Sequence, residues 1–157
     1  MDLFEEYLSK KKESFLIDRA LTDKSYRNEY QRIYHKEYDG EVNTDLATYG
    51  DAVIKLCYCE LLLDKVEKLT EEKAKYESDE YLVKYVAQHY SLVDHINKDK
   101  DNKDLPDDYD YEKYESNNHN KTKYIATAVE AMIGAIYKNT KDLNAITQLL
   151  KEWISFK

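Results

Sequence analysis

Residues that break helices are scarce in this sequence, which has three glycines and one proline among 157 residues. Turn-rich β architectures need many more of both, so the scarcity excludes them and favours long helices. A chain of this length is large enough for one domain with its own core. We therefore expect an all-α fold, with a single domain of six to eight helices, no sheet and one core.

Cysteine is also rare, with Cys57 and Cys59 as the only two. Side chains two residues apart on a helix point in different directions, which argues against a disulfide or a metal pair between them. We interpret both as small core residues.

Long apolar runs are absent, and no stretch is long enough to span a bilayer. The first residues, Met-Asp-Leu-Phe-Glu-Glu, have neither the basic start nor the apolar run of a signal peptide. We expect a cytosolic protein that has no membrane partner.

Positive charge is in deficit, since the formal net charge is −8 at pH 7. Nucleic acids are bound largely through contacts between Lys or Arg and phosphate, so this charge excludes functions that depend on a broad basic surface. An acidic protein can still process RNA if its positive charge is local or a bound metal supplies it.

Several common functional motifs are absent as well. The sequence has no P-loop, no Rossmann glycine pattern and no nucleophile elbow. Its four histidines show no metal-ligand spacing, and we expect each to be a surface residue. The sixteen tyrosines fall mostly at helical core spacing, which favours packing over stacking on bases.

Apolar spacing predicts helices along most of the chain. The most convincing one covers about residues 43–66, with Asn43 or Thr44 as its N-cap. The other predicted helices cover about residues 2–12, 15–26, 70 onward, 78–95, 124–136 and 143–154. Residues 27–42 are polar and rich in tyrosine, and we expect a loop with a turn there.

Residues 97–120 differ in kind from the rest of the chain. The part up to residue 116 holds eight acids against four lysines, includes the single proline, Pro106, and has no apolar periodicity. This composition predicts a long acidic loop, either solvated or a partly disordered insertion.

Three segments resemble motifs of one enzyme family, and they occur in that family's order. Residues 19–26 read Arg-Ala-Leu-Thr-Asp-Lys-Ser-Tyr, residues 43–53 read Asn-Thr-Asp-Leu-Ala-Thr-Tyr-Gly-Asp-Ala-Val, and residues 126–137 read Ala-Thr-Ala-Val-Glu-Ala-Met-Ile-Gly-Ala-Ile-Tyr. They are similar to A-L-T-H-x-S-Y, N-E-R-L-E-F-L-G-D-A-V and A-D-x-x-E-A-L-I-G-A-I-Y of the ribonuclease III catalytic domain. Residues 69–90 look like the intervening helices, so the resemblance covers most of residues 1–157 apart from the acidic segment.

The site positions depart from the ribonuclease III pattern. That family carries four carboxylates that hold magnesium, and a further acid at the start of the second motif. Asp51 and Glu130 keep two of these positions, Ala47 and Thr127 replace two others, and Thr44 stands at the additional one. The Mini-III branch, which trims double-stranded ribosomal RNA precursors, shows the same Leu-Ala-x-x-Gly-Asp-Ala and Ala-Thr-Ala-x-Glu-Ala patterns. The site of this chain therefore resembles Mini-III most closely.

The resemblance implies phosphodiester hydrolysis with a divalent metal. Mg²⁺ takes oxygen ligands and keeps several waters, so one or two carboxylates and substrate phosphate oxygens can hold it, and Mn²⁺ is an alternative. We predict Asp51 and Glu130 as the catalytic and metal-binding residues. Thr127, on the same helix face as Glu130, is a supporting residue that could orient a water bound to the metal. Gly50 and Gly134 would let the two motif helices approach closely.

The implied protein is a homodimeric endoribonuclease that cleaves double-stranded RNA, without room for a separate double-stranded-RNA-binding domain. Lys121 and Lys123, beside the third motif, are the candidate RNA contacts. Mini-III has a basic loop before that motif, whereas this chain has the acidic residues 97–116, and it carries about forty more residues ahead of the second motif.

An alternative is a catalytically inactive ribonuclease III-like module that serves dimerisation or association with RNA or the ribosome. The net charge of −8 and the three missing acids favour this alternative. A salt bridge at Asp51 and Glu130, with no divalent ion nearby, would support it.

Overall fold

The computed structural model describes residues 1–114 and 119–157, and in the second range it describes side chains from residue 121 onward. The described residues form nine α-helices: α1 (Leu3–Leu8), α2 (Phe15–Ala20), α3 (Tyr26–Tyr34), α4 (Thr44–Leu62), α5 (Leu69–Glu77), α6 (Asp79–Tyr81), α7 (Gln88–Tyr90), α8 (His119–Thr140) and α9 (Leu143–Trp153). A π-helical segment, Leu82–Ala87, joins α6 to α7, and short 3₁₀ turns lie at Leu92–His95, Tyr111–Lys113 and Ile154–Phe156. No strand occurs in the described ranges, so the expected all-α fold is confirmed.

The two longest helices, α4 and α8, form the centre of the fold and pack along most of their length. The helices α1, α2 and α9 and the π-helical segment surround them. The face of α8 inside this shell is mostly apolar, and Ile125, Val129, Met132, Ile133 and Ile136 are fully buried. Burial of this stripe is the main source of stability for a helix whose ends are polar.

Glycine makes the central helix pair possible. A Cβ atom on Gly50 of α4 would collide with the backbone carbonyl of Glu130, and one on Gly134 of α8 would collide with the carbonyl of Leu46. The two backbones therefore touch where these glycines lie, which agrees with the close approach predicted from the sequence.

The N-terminal helix is fixed to the end of the chain by an aromatic cluster. Phe4 is fully buried and stacks on Tyr90 at a ring distance of 4.3 Å, with Trp153 edge-on at 5.8 Å. Trp153 Nε1 donates a hydrogen bond to the Tyr90 hydroxyl, which in turn donates to Asp2. Since the polar groups of both Tyr90 and Trp153 have hydrogen-bond partners, the cluster can be buried without a polar penalty.

The prediction of a loop over residues 27–42 is wrong for its first part, because α3 covers Tyr26–Tyr34. Tyrosine side chains four residues apart contact each other along this helix, at 6.2 Å for Tyr26 and Tyr30. Arg32 on α3 also bonds Glu29 at 2.8 Å and Asp99 at 2.8 Å. These contacts to a distant segment stabilise a helix whose own sequence is too polar to indicate one.

The described part of the acidic segment is packed rather than fully solvated. Lys98 is buried and forms an ion pair with Asp107, while Asp99 is buried against Arg32. Asn97 forms an isolated parallel bridge with Thr22. Pairing with Arg32 lets Asp99 leave water, which composition alone does not reveal, whereas the other acids in the described part of the segment are exposed. The predicted loop extends into residues 115–118, which lie outside the described residues, whereas His119 and Asn120 belong to α8.

Asn43 is the N-cap residue of α4, but its side chain donates to the Ala20 carbonyl at 3.2 Å instead of capping the helix. Cys57 is buried in the core as predicted, whereas Cys59 is only half-buried; both are free thiols. Among the described residues, no helix is long and apolar enough to cross a bilayer.

Candidate active site

Asp51 and Glu130 meet where α4 and α8 cross. Asp51 follows Gly50 in α4, and Glu130 is the residue whose backbone carbonyl lies against that glycine. The close backbone contact brings the two side chains together, and their carboxyl groups lie within hydrogen-bonding contact of each other. Two carboxyls in such contact share a proton unless a cation lies between them.

The electrostatics of this pair are strongly asymmetric. Burial, the hydrogen bond with Asp51 and the negative charge of Asp51 raise the pKa of Glu130 to about 8. Burial also tends to raise the pKa of Asp51, but hydrogen bonds with Lys55 and Glu130 outweigh it and hold that pKa below its usual value. At neutral pH without a cation, the pair therefore holds one proton, which resides mainly on Glu130.

Two lysines lie beside the carboxyl pair. Lys55, one turn after Asp51 on α4, donates to Asp51 Oδ2 at 2.8 Å. Lys123, about two turns before Glu130 on α8, donates to both oxygens of Asp79 at 3.1 and 3.3 Å, and its charge lowers the pKa of both Asp51 and Glu130. The site thus combines two contacting acids with two fixed cations.

Sequence reasoning missed three residues of this neighbourhood: Lys55, Asp79 and Glu77. Asp79 raises the pKa of Glu130, and Glu77 raises the pKa of Lys55. Glu77 forms an ion pair with Lys73 at 2.8 Å and has a buried carboxyl oxygen, Oε2, without a hydrogen-bond partner. No sequence signal indicates Asp79 or Glu77, because they reach the site only through the packing of α5 and α6 against the central helices.

The remaining predicted site residues lie around the pair. Thr127, one turn before Glu130 on α8, is half-buried and lines a cavity together with Lys123 and Thr44. Ala47, which replaces an acid of the ribonuclease III pattern, is buried at 8% exposure. Lys121 is exposed and lies 3.9 Å from Asp104.

The donor set fits a divalent cation that prefers oxygen. Asp51 and Glu130 supply two carboxylates from two helices, and Asp51 keeps 36% of its side chain exposed, so the pair is accessible from solvent. A dication between them would hold both groups ionised and remove the need for a shared proton. Mg²⁺ and Mn²⁺ match this chemistry.

Another group of metal-ligating side chains occurs in the described residues, away from this pair. Asp2, Glu5 and His89 have potential ligand atoms within 4.8 Å of one another. Asp2 already caps α1 by accepting a hydrogen bond from the Glu5 N–H, and it accepts another from the Tyr90 hydroxyl. Helix capping and the aromatic cluster account for this arrangement.

Comparison with known proteins identifies the family of the chain. The profile of the Ribonuclease III domain family matches residues 44–141, which is more than half of the chain. The chain belongs to the ribonuclease III domain family. Both Asp51 and Glu130 lie within the matched residues.

A solved structure has the same fold as this ribonuclease III domain. The nuclease domain of ribonuclease III from Campylobacter jejuni superimposes with a TM-score of 0.63 and is 24% identical, with 95% of this chain and 92% of that one covered. The expected ribonuclease III fold is thereby confirmed, including the segments ahead of residue 44 that the family profile does not reach. No curated protein sequence matches the chain.

Proposed function

We propose that this ribonuclease III domain is a metal-dependent endoribonuclease that cleaves double-stranded RNA. Membership of the family supports an endoribonuclease of this substrate class. The observation that carries the metal-dependent site is the contact between the Asp51 and Glu130 carboxyls at the crossing of the two motif helices.

Asp51 and Glu130 would together hold one Mg²⁺ or Mn²⁺ ion. Such an ion neutralises charge that develops on the phosphate and activates water. The chain contributes a rigid frame, since both acids stand on helices whose backbones touch. Thr127, one turn from Glu130, has a hydroxyl group that can orient water beside the cation.

Lys123 and Lys121 are the proposed RNA contacts. Lys123 is placed by Asp79 beside the carboxyl pair, where a fixed positive charge favours a phosphate group. Lys121 is exposed, with 62% of its side chain accessible. These lysines supply local positive charge on a protein whose net charge is −8.

The substrate of this site is proposed to be a ribosomal RNA precursor, as in the Mini-III branch. The support comes from Ala47 and Thr127, which stand where that branch also lacks acids. The buried position of Ala47 fits this reduced site, since an acid there would have to be desolvated. We also propose that the enzyme acts in the cytosol.

The proposed homodimer would form through an exposed apolar face of α4. Tyr49, Leu56 and Leu63 stand seven residues apart and are 37%, 48% and 58% exposed. A seven-residue spacing places Tyr49 and Leu56 on one face of α4, with Leu63 directly after its last residue, and that spacing suits packing against a second helix. A dimer would place two sites on one duplex, so that both strands are cut.

Cleavage of structured RNA tests the function. The purified protein is incubated with several RNA duplexes and Mg²⁺, beside Asp51→Asn and the control Asp45→Asn, which removes an exposed acid from the first turn of α4. We expect the wild type and the control to cleave, and the Asp51 variant to be slower by on the order of 100-fold or more. Equal rates for wild type and Asp51→Asn would refute the enzymatic function.

A catalytically inactive module for dimerisation or RNA association is the second candidate. It is favoured by the salt bridge of 2.8 Å between Lys55 and Asp51, which neutralises one acid of the pair without a metal. The variant Lys55→Gln separates the two candidates. If the pair is a metal site, the wild type binds a divalent ion and Lys55→Gln binds it at least as tightly, because a competing cation is gone; if Lys55 holds Asp51 in an inert pair, the wild type binds none.

A further inference from the structure

A largely apolar cavity of about 450 Å³ opens between the starts of α4 and α8 and the loop segments at residues 23–25 and 102–105. Lys123 and Thr127 line it from α8. Thr127 lies one turn before Glu130 on α8, and Thr44, also in the lining, lies about two turns before Asp51 on α4, so both central helices connect the cavity to the carboxyl pair.

The cavity combines an apolar floor with charged and polar walls. Tyr124 and Leu105 are buried beneath it at 5% and 9% exposure. Asp23, also buried, contributes a carboxylate, while the exposed Lys24 stands at the mouth with Thr44. Two cations, one acid and an apolar surface therefore face the same space.

We propose that this cavity binds one ribonucleotide of the RNA strand, next to the bond that the carboxyl pair cleaves. The proposal rests on the endoribonuclease function above and names the part of the substrate that lies outside the metal site. The phosphate of the nucleotide lies between Lys123 and Lys24, and its ribose faces Asp23.

The chemistry of the walls favours a ribonucleotide over a simple anion. Lysines attract phosphate, but an inorganic anion would gain nothing from the apolar floor or from a buried acid. Asp23 Oδ2 already accepts the Ser25 N–H at 3.0 Å, and an ionised carboxylate has further acceptor positions for a hydroxyl donor. A ribose 2′-hydroxyl is such a donor, and it is the group that distinguishes RNA from DNA.

The volume is also of the right order. Ligand cavities for small molecules measure roughly 300 to 1,000 Å³, and a cavity of about 450 Å³ suits one nucleotide rather than a whole helical segment. The remaining strand would run over the surface towards Lys121, which lies two residues before Lys123 at the same end of α8.

Binding of mononucleotides tests this subsite without any cleavage. The ¹⁵N-labelled full chain is titrated with adenosine 5′-monophosphate, with its 2′-deoxy analogue and with inorganic phosphate. We expect the amide signals of Lys24, Ser25 and Thr127 to shift when the ribonucleotide is added. The affinity should be about threefold or more lower for the analogue that lacks the 2′-hydroxyl. Asp23→Asn should reduce this preference for ribose, because the amide keeps one neutral acceptor oxygen where the carboxylate has two charged ones.

Matched lysine variants locate the phosphate. Lys123→Gln and Lys24→Gln should each lower the affinity for the ribonucleotide by about threefold to tenfold, since each removes one charged hydrogen bond. Lys138→Gln is the control, because Lys138 is exposed on the same helix about four turns away. The control should bind as the wild type does.

Each result separates this subsite from the nuclease function. Ribonucleotide binding at these amides in a protein that cleaves no duplex supports the subsite and overturns the nuclease. If the protein cleaves RNA but the amide signals of the cavity residues do not shift with the ribonucleotide, the subsite is overturned and the nuclease function is still supported. Equal affinities for phosphate and ribonucleotide, or shifts confined to other surfaces, also overturn the subsite.

Discussion

Gly50 of α4 lies directly against the backbone carbonyl of Glu130 on α8, with no space for a side chain between them. This single contact sets both the packing of the central helices and the meeting of Asp51 with Glu130. The family's Gly-Asp sequence thus serves two linked purposes: the glycine brings the backbones together, and the aspartate next to it faces the glutamate.

The variant Gly50→Ala should therefore damage the fold and the site together. The added methyl group collides with backbone, which cannot move aside as a side-chain end can, so we expect a loss of about 3 kcal/mol in the free energy of unfolding. Urea denaturation measures it. In the control Gly40→Ala the new Cβ meets only the ring of Tyr38 in an exposed loop, and the expected change is small. Equal losses in both variants would contradict the packing described.

The raised pKa of Glu130 predicts how stability changes with pH in the metal-free protein. Its ordinary pKa is 4.5 and its folded pKa is about 8, so the folded state holds the proton more tightly than the unfolded chain. The contribution of this group to stability is therefore fully present below pH 4.5 and is lost as the pH rises through 8.

Glu130→Gln cannot titrate, and the variant should gain stability relative to the wild type between pH 5 and pH 9. Urea denaturation at both pH values, with a chelator present, measures this difference. The variant Glu60→Gln, which alters an exposed acid on α4, is the control. A difference between Glu130→Gln and wild type that stays constant with pH would show that the two carboxyls do not share a proton.

The exposed apolar face of α4 predicts how a charged residue at the proposed dimer interface would act. Leu56→Glu should shift the protein from dimer to monomer, because it would bury an unpaired carboxylate at the centre of the interface. Sedimentation analysis reports the oligomeric state. Phe15→Glu is a matched control, since Phe15 is 97% exposed but stands on α2. If Leu56→Glu sediments as the wild type does, another surface forms the dimer or none exists.

Lys123 should make one phosphate contact with duplex RNA. The logarithm of the RNA-binding constant falls as the logarithm of the salt concentration rises. Removing the contact in Lys123→Gln should make this dependence less steep by about 0.9 or less, the value for one neutralised phosphate. RNA affinity measured over a range of salt concentrations, in the absence of divalent ions, gives the slope. The variant Lys138→Gln should leave the slope unchanged, and an unchanged slope in Lys123→Gln would remove this residue from the RNA-binding surface.

The central part of the fold could be predicted from sequence because its signals are local. The apolar spacing of α4 and α8 indicated both helices, and the motif residues Asp51 and Glu130 indicated which side chains would meet. The glycines at positions 50 and 134 indicated how closely the backbones approach.

The surroundings could not be predicted, because they depend on contacts between distant segments. The sequence of α3 is polar and predicts a loop, whereas in the structure Arg32 of this helix donates a hydrogen bond to Asp99, 67 positions away. The partners of Lys123 and Lys98 are likewise set by tertiary packing and not by any spacing in the sequence. The composition of the acidic segment does not show which of its acids form ion pairs.

Binding of Mn²⁺ followed by electron paramagnetic resonance tests most directly whether Asp51 and Glu130 form one cation site. We predict one bound ion for each chain, lost both in Asp51→Asn and in Glu130→Gln and retained in Asp45→Asn, because two carboxylates must act together. If either substitution at the pair leaves Mn²⁺ affinity unchanged, the two residues do not share a cation and the proposed site is contradicted.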